Sequence, residues 1–240
     1  MVDAKGLLDQ FLGGQNGQSG KGGGPGEFLK GAGGGALVGG LAALLLGSKT
    51  GRKIGGEALK LGGMAAVVTL AYRAYRDWQA GKQAPTASTA PTSQPSVPML
   101  PPPSGTPFNP ASESDQQRLA RHLLRAMIAA TKADGHVDAQ EQARIFAEMD
   151  KLPLSADDKA FVMDELRAKL DIEAVASAAG TPEEAAEIYT ASLLAIDVDN
   201  AAERGYLAML AARLKLDDAL VAHLHQTVAS ASGKAPQPVG

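Results

Sequence analysis

Asp134, Asp138 and Glu141 stand within eight residues of one another in the stretch Ala133-Asp134-Gly135-His136-Val137-Asp138-Ala139-Gln140-Glu141. Carboxylates spaced in this way suit a hard cation, because oxygen ligands from one short loop converge on it only where a glycine permits the sharp turn between them. Set against a calcium loop, Asp134 takes position 5, Gly135 position 6, Val137 the apolar position 8, Asp138 position 9 and Glu141 the bidentate position 12. Positions 1 and 3 are Ala130 and Lys132, so two ligands are missing and a cation is added, which excludes an ordinary EF-hand. The same residues also read as helix punctuation, with Gly135 ending one helix, Asp138 capping the next and Glu141 completing a capping box. Taken alone, the stretch favours the capping reading.

A second acidic turn shifts that balance. Ile196-Asp197-Val198-Asp199-Asn200-Ala201-Ala202-Glu203 repeats the phase at an offset of 62, with Asn200 and Glu203 matching Asp138 and Glu141, and Leu214 and Leu216 matching Leu152 and Leu154. The two halves form a degenerate tandem of helix-turn-helix units. Packed with approximate two-fold symmetry, they bring Asp134, Asp138, Glu141, Asp197, Asp199 and Glu203 to one face, where a cation or a basic partner offsets their mutual repulsion. Oxygen ligands fit magnesium or calcium better than copper or nickel, and manganese and zinc stay open with His136 nearby.

Other chemistries find no support. Gly31-Ala32-Gly33-Gly34-Gly35-Ala36 fits G-x-G-x-x-A, but no strand precedes it and no βαβ unit surrounds it. Gly47-Ser48-Lys49-Thr50 lacks the second glycine of a phosphate loop. His223 and His225, two apart on a helix, point away from each other. With no cysteine, four histidines and no triad geometry, the chain is expected not to be an enzyme and to carry no nucleic-acid site.

The elements that must position the carboxylates are helices. Apolar stripes recur at Leu119, Leu123, Leu124, Met127 and Ile128; at Ile145, Phe146 and Met149; at Phe161, Val162, Leu166 and Leu170; at Tyr189, Leu193 and Leu194; at Leu207, Leu210 and Leu214; and at Leu220, Val221, Leu224 and Val228. Start signals accompany them at Asp138, at Ser155 in S-A-D-D, and at Thr181 in T-P-E-E with Pro182 at the first helical position. The spacing predicts six or seven helices within residues 113–231, a segment long enough for its own core. Its 12 Lys and Arg against 21 Asp and Glu make it acidic, at −9.

The rest of the 240 residues differ sharply in composition. Residues 1–82 hold 22 of the 28 glycines and a net charge of +5, from 10 basic and 5 acidic residues, while residues 83–112 hold 9 of the 14 prolines and no charge. Residues 1–30 are expected to be flexible, with a short amphipathic turn at Leu7, Leu8, Phe11 and Leu12. Residues 31–82 are expected to anchor the chain to a membrane through the uncharged runs at 31–47 and 61–72. The first is at the short limit for a span, and small residues every four positions from Gly31 to Gly55 suit self-association of helices in lipid. Residues 83–112 read as a disordered Pro-rich spacer and 232–240 as a disordered tail. A single span at 31–47 has Lys49, Arg52, Lys53 and Lys60 on its C-terminal flank against Lys21 and Lys30, which puts the acidic domain in the cytoplasm; a hairpin removes that preference.

The stretch from Ala130 to Glu141, A-x-x-A-D-G-H-V-D-x-x-E, together with A-I-D-V-D-N-A-A-E-R-G-Y-L-A-M-L from Ala195 to Leu210, resembles the TerB-like domain associated with tellurite resistance. The order of a Gly-rich apolar head, a variable linker and this domain is similar to the YebE inner-membrane proteins of Gram-negative bacteria. That resemblance implies an all-α C-terminal bundle, attachment to the bacterial inner membrane, and divalent-metal or protein binding in envelope or metal stress. The metal role carries over to Asp134, Asp138, Glu141, Asp197, Asp199 and Glu203, with Ile196 standing where a second D-G turn would have its aspartate. The alternative expectation is a membrane-assembly protein that oligomerises through its glycine ridge, with the acidic domain keeping it soluble or docking it.

Overall fold

The computed structural model describes residues 2–12, 63–83, 102–133, 143, 145, 147, 149–150, 154–196, 198 and 201–231. These are α1 (Ala4–Leu12), α2 (Gly63–Gln83), α3 (Glu113–Thr131), α4 (Ala156–Arg167), α5 (Ile172–Ala176), α6 (Pro182–Ala195), α7 (Ala201–Arg213) and α8 (Asp218–Ala231), with no strand among the described residues. Between α3 and α4, the helical residues Ile145 and Met149 are buried. Over the described residues the chain is all-α, as its periodicity predicts.

Each expected helix start that falls on described residues is present. Ser155 accepts the Asp158 amide in a complete capping box, and Thr181 accepts the Glu184 amide with Pro182 in the first turn. Ser112 and Asp171 cap α3 and α5 in the same way, and neither stood out in the sequence. The apolar stripes face inward: Leu119, Leu123, Leu124 and Met127 on α3 and Tyr189 and Leu194 on α6 are almost wholly excluded from solvent. Leu170, expected in the stripe of α4, is instead exposed beyond that helix's end.

α3 and α6 form the central pair. Arg118, near the start of α3, lies 3.6 Å from Glu184, near the start of α6, and farther along the Ser192 hydroxyl donates to the Ala126 carbonyl at 3.4 Å. The two helices therefore run in the same direction. α8 packs beside α6, where the Tyr189 hydroxyl and His225 Nε2 are 2.9 Å apart.

α2 corrects the expectation for the second apolar run. Among the described residues no helix is long and apolar enough to cross a membrane. α2 instead packs on α6, α8 and α1, burying Met64, Val67, Val68, Leu70, Ala71 and Ala74. The first half of this helix, residues 64–71, is apolar nearly all round and needs apolar neighbours, which protein supplies here as well as lipid would. The first run, residues 31–47, lies outside the described residues.

The N-terminal turn is likewise part of the body. Leu7 and Leu8 are buried as α1 packs on α2 and α3. Its start is tied down, with the Asp3 amide donating to Asp158 at 2.7 Å and Gln117 donating to the Asp3 carboxylate at 2.9 Å. Asp9 on α1 accepts the Met64 amide at 3.0 Å and so caps α2 from outside. Because α1 and α2 belong to one body, a chain that leaves Leu12 through a bilayer must come back through it before Gly63. A single span between them is incompatible with this packing.

Residues 102–110, which composition assigns to the spacer, make a compact hydrogen-bonded turn. The Gly105 amide donates to the Asn109 carbonyl at 2.7 Å, with Gly105 at φ +82°, and buried Phe108 meets Tyr72 and Tyr75 edge-on at 5.4 Å.

Candidate functional site

The helices that precede the two acidic turns in the chain are the central pair. α3 ends at Thr131 and α6 at Ala195, and because the two are parallel neighbours, the segments that follow them leave from the same end of the pair. Of the six expected ligands, Asp134, Asp138, Glu141, Asp197 and Asp199 lie outside the described residues, as does His136. Glu203 is described: it sits half-buried in the first turn of α7, where a carboxylate also favours the helix dipole. Among the described residues no group of three metal-ligating side chains occurs.

Lys132 argued against cation binding at this end, and the structure gives its ammonium another task. It donates to the Glu165 carbonyl at 2.7 Å and the Ala168 carbonyl at 2.8 Å, satisfying the C-terminal end of α4. Burial lowers its pKa while Glu165 raises it. Glu165 also pairs with Arg125 at 2.5 Å, so one carboxylate ties α3 to α4 beside the acidic turn.

Two further features lie outside the residues the sequence singled out. The first is Glu187, in the middle of α6, which is 0% exposed with neither carboxylate oxygen hydrogen-bonded. Burial, then the charges of Glu184 and Glu183, push its pKa well above the usual carboxylate value, a shift that favours the neutral acid over the carboxylate. Its neighbour Glu184 keeps its charge satisfied by the Gly180 amide at 2.7 Å and by Arg118.

The second is a cavity of about 560 Å³ at the opposite end of α6, where the end of α2, the turn before α6 and the α7–α8 turn meet. One wall is the tilted pair Tyr75 and Trp78, with ring centroids 5.3 Å apart. Lys82 lies 3.9 Å from the Trp78 ring centroid and 3.3 Å from Asp217, which also accepts the Trp78 indole N–H at 3.3 Å. The Ala219 amide, then Lys82 and Trp78, hold Asp217 below the usual carboxylate range. Arg213 pairs with Glu173 on the other side.

Lys215 completes the lining. It is the residue after the C-cap of α7, at φ +55°, with the Leu216 amide bonded to the Ala211 carbonyl and the Lys215 amide to the Ala212 carbonyl. This is a Schellman cap, whose left-handed position favours glycine; a side chain there costs about 1–2 kcal/mol. It is the one non-glycine residue with positive φ among those described.

Comparison with known proteins gives the affiliation. The family described as "Protein of unknown function (DUF533)" matches residues 31–228. The chain belongs to this family, the YebE-like proteins. A Yersinia enterocolitica relative, described as an "Uncharacterized protein in ampR 5'region", is 35% identical over 100 residues, which is 42% of this chain and 71% of the relative. No solved structure matches. The DUF533 match begins at Gly31 and so runs through both the Gly-rich run and α2 into the helical body.

Proposed function

We propose that this DUF533 protein is a non-enzymatic, membrane-attached protein of the bacterial inner membrane, with a TerB-like helical body that binds a divalent cation or a protein partner in envelope or metal stress. The observation that supports it is the parallel pairing of α3 and α6, which sends both acidic turns out from one end of the body. Carboxylates brought together at that end would need a counter-charge, and Lys132 is already bonded to the carbonyls of α4. Attachment falls to the Gly-rich run at 31–47, entering and leaving the bilayer on one side so that α1 and α2 can meet. The body then lies on the cytoplasmic side, because entry and exit on one side put Lys21 and Lys30 before the run and Lys49, Arg52, Lys53 and Lys60 after it on the same face as the body.

Thermal melting of the full chain with chelator, then with magnesium, calcium, manganese or zinc, tests the cation site. Binding in the folded state raises stability by about 2.7 kcal/mol when the ion is at roughly 100 times its Kd, and Asp134→Asn combined with Asp197→Asn removes that increment. If the carboxylates are caps alone, Asp138→Ala costs about 0.5–2 kcal/mol with or without ions, and every midpoint is the same.

A further inference from the structure

We propose that the cavity between α2, α6 and the α7–α8 turn binds a small organic anion with a flat or acyl apolar body, held by Lys215 against the Tyr75 and Trp78 rings. Its volume, about 560 Å³, lies within the range of small-molecule sites. The lining combines an aromatic wall with an aliphatic floor that includes Leu214 and Leu220, which is how such sites hold an apolar body.

Charge decides the class of ligand. The lining carries three cations, Lys82, Arg213 and Lys215, against two carboxylates, Glu173 and Asp217, with Glu183 at its edge hydrogen-bonded to the Tyr75 hydroxyl. Asp217 is taken up by Lys82, Trp78 and the Ala219 amide, and Glu173 by Arg213, so both anions are committed. Among the described residues Lys215 has no carboxylate partner. It also occupies the left-handed cap position, where glycine would relieve backbone strain. A lysine held at a cost to the fold, with its charge unbalanced beside an aromatic cavity, is accounted for by an anionic ligand. The site is at the far end of α6 from the acidic turns, about 21 Å away for 14 residues at about 1.5 Å each, so its occupancy is independent of the cation.

Trp78 is the protein's sole tryptophan and lines the cavity, so its fluorescence reports binding in the full chain. The probes are 1-anilinonaphthalene-8-sulfonate and its uncharged counterpart N-phenyl-1-naphthylamine. The sulfonate is expected to quench Trp78 saturably and to bind about tenfold more tightly than the neutral ring system at low salt, a difference of about 1.4 kcal/mol. Lys215→Gly is expected to raise the melting temperature by relieving the cap yet to erase the preference for the anion, while Lys215→Arg keeps it. These opposite signs separate a ligand contact from a structural role. Equal affinities for the two probes, absence of saturable quenching, or a Lys215→Gly variant that is more stable with its anion preference intact would each overturn the proposal.

Discussion

Leu70→Ala distinguishes a core helix from a membrane helix at α2. Leu70 is 1% exposed, in a stretch of α2 whose neighbours Val67 and Ala71 are 0% exposed, and the helix packs against α1, α6 and α8. With three helices packed against it the space left by the lost side-chain atoms cannot collapse easily, so the substitution is expected to cost about 2–5 kcal/mol. At roughly 2–4 °C per kcal/mol for a chain of this size, the melting midpoint falls by about 4–20 °C. The assay is circular dichroism melting without detergent, with Ala80→Ser on the exposed side of α2 as the control, expected to stay within about 0.5 kcal/mol. A Leu70→Ala protein that melts like the unsubstituted chain, and differs only in how it partitions into membranes, would refute the packing of α2.

The same packing predicts that residues 113–231 alone, which lack α2, expose the faces of α6 and α8 that it covers; relative to the full chain this fragment should bind hydrophobic dye and melt earlier, and equal midpoints would contradict it. Glu187→Gln removes a carboxyl whose folded pKa is raised, so the wild-type residue's contribution is fully present below its ordinary value of 4.5 and is lost as pH rises through the folded value. The variant should therefore gain on the wild type by up to about 1.4 kcal/mol per pH unit between 4.5 and the folded value in urea melts, and a gap that is the same at acid and neutral pH would show that the Glu187 pKa is not raised in the folded protein. The chain has no cysteine, so single cysteines at Lys5 and Lys215 can be labelled cleanly in membrane vesicles. Both should react from one side, and labelling from opposite sides would mean that α1 does not dock on the body.

What the sequence made legible follows from what its patterns report. The stripe on α3, the caps at Ser155 and Thr181 and the Tyr189 stripe on α6 are local signals, because capping and periodicity are set within a few residues. The run at 61–72 misleads because a uniformly apolar helix looks the same whether lipid or protein surrounds it, and its partners α6 and α8 lie more than a hundred residues away. Glu187 was hidden by its neighbours: after Glu183 and Glu184 it reads as one more acid in the N-terminal turns of a helix, and only the packing of α6 reveals it as buried. The cavity draws on Trp78, Gly180 and Lys215, whose juxtaposition no spacing encodes. The paired acidic turns were visible as a repeat, whereas their departure from one end of the body depends on α3 and α6 lying parallel.

Calorimetric titration of the chelator-treated full chain with manganese, and then with magnesium, calcium and zinc, addresses the acidic turns most directly. Saturable binding of at least one ion is expected, lost when Asp134→Asn and Asp197→Asn are combined, with Lys215→Gly leaving it unchanged. Absence of binding for all four ions, or binding that survives the double substitution, would contradict a cation site at the shared end of α3 and α6.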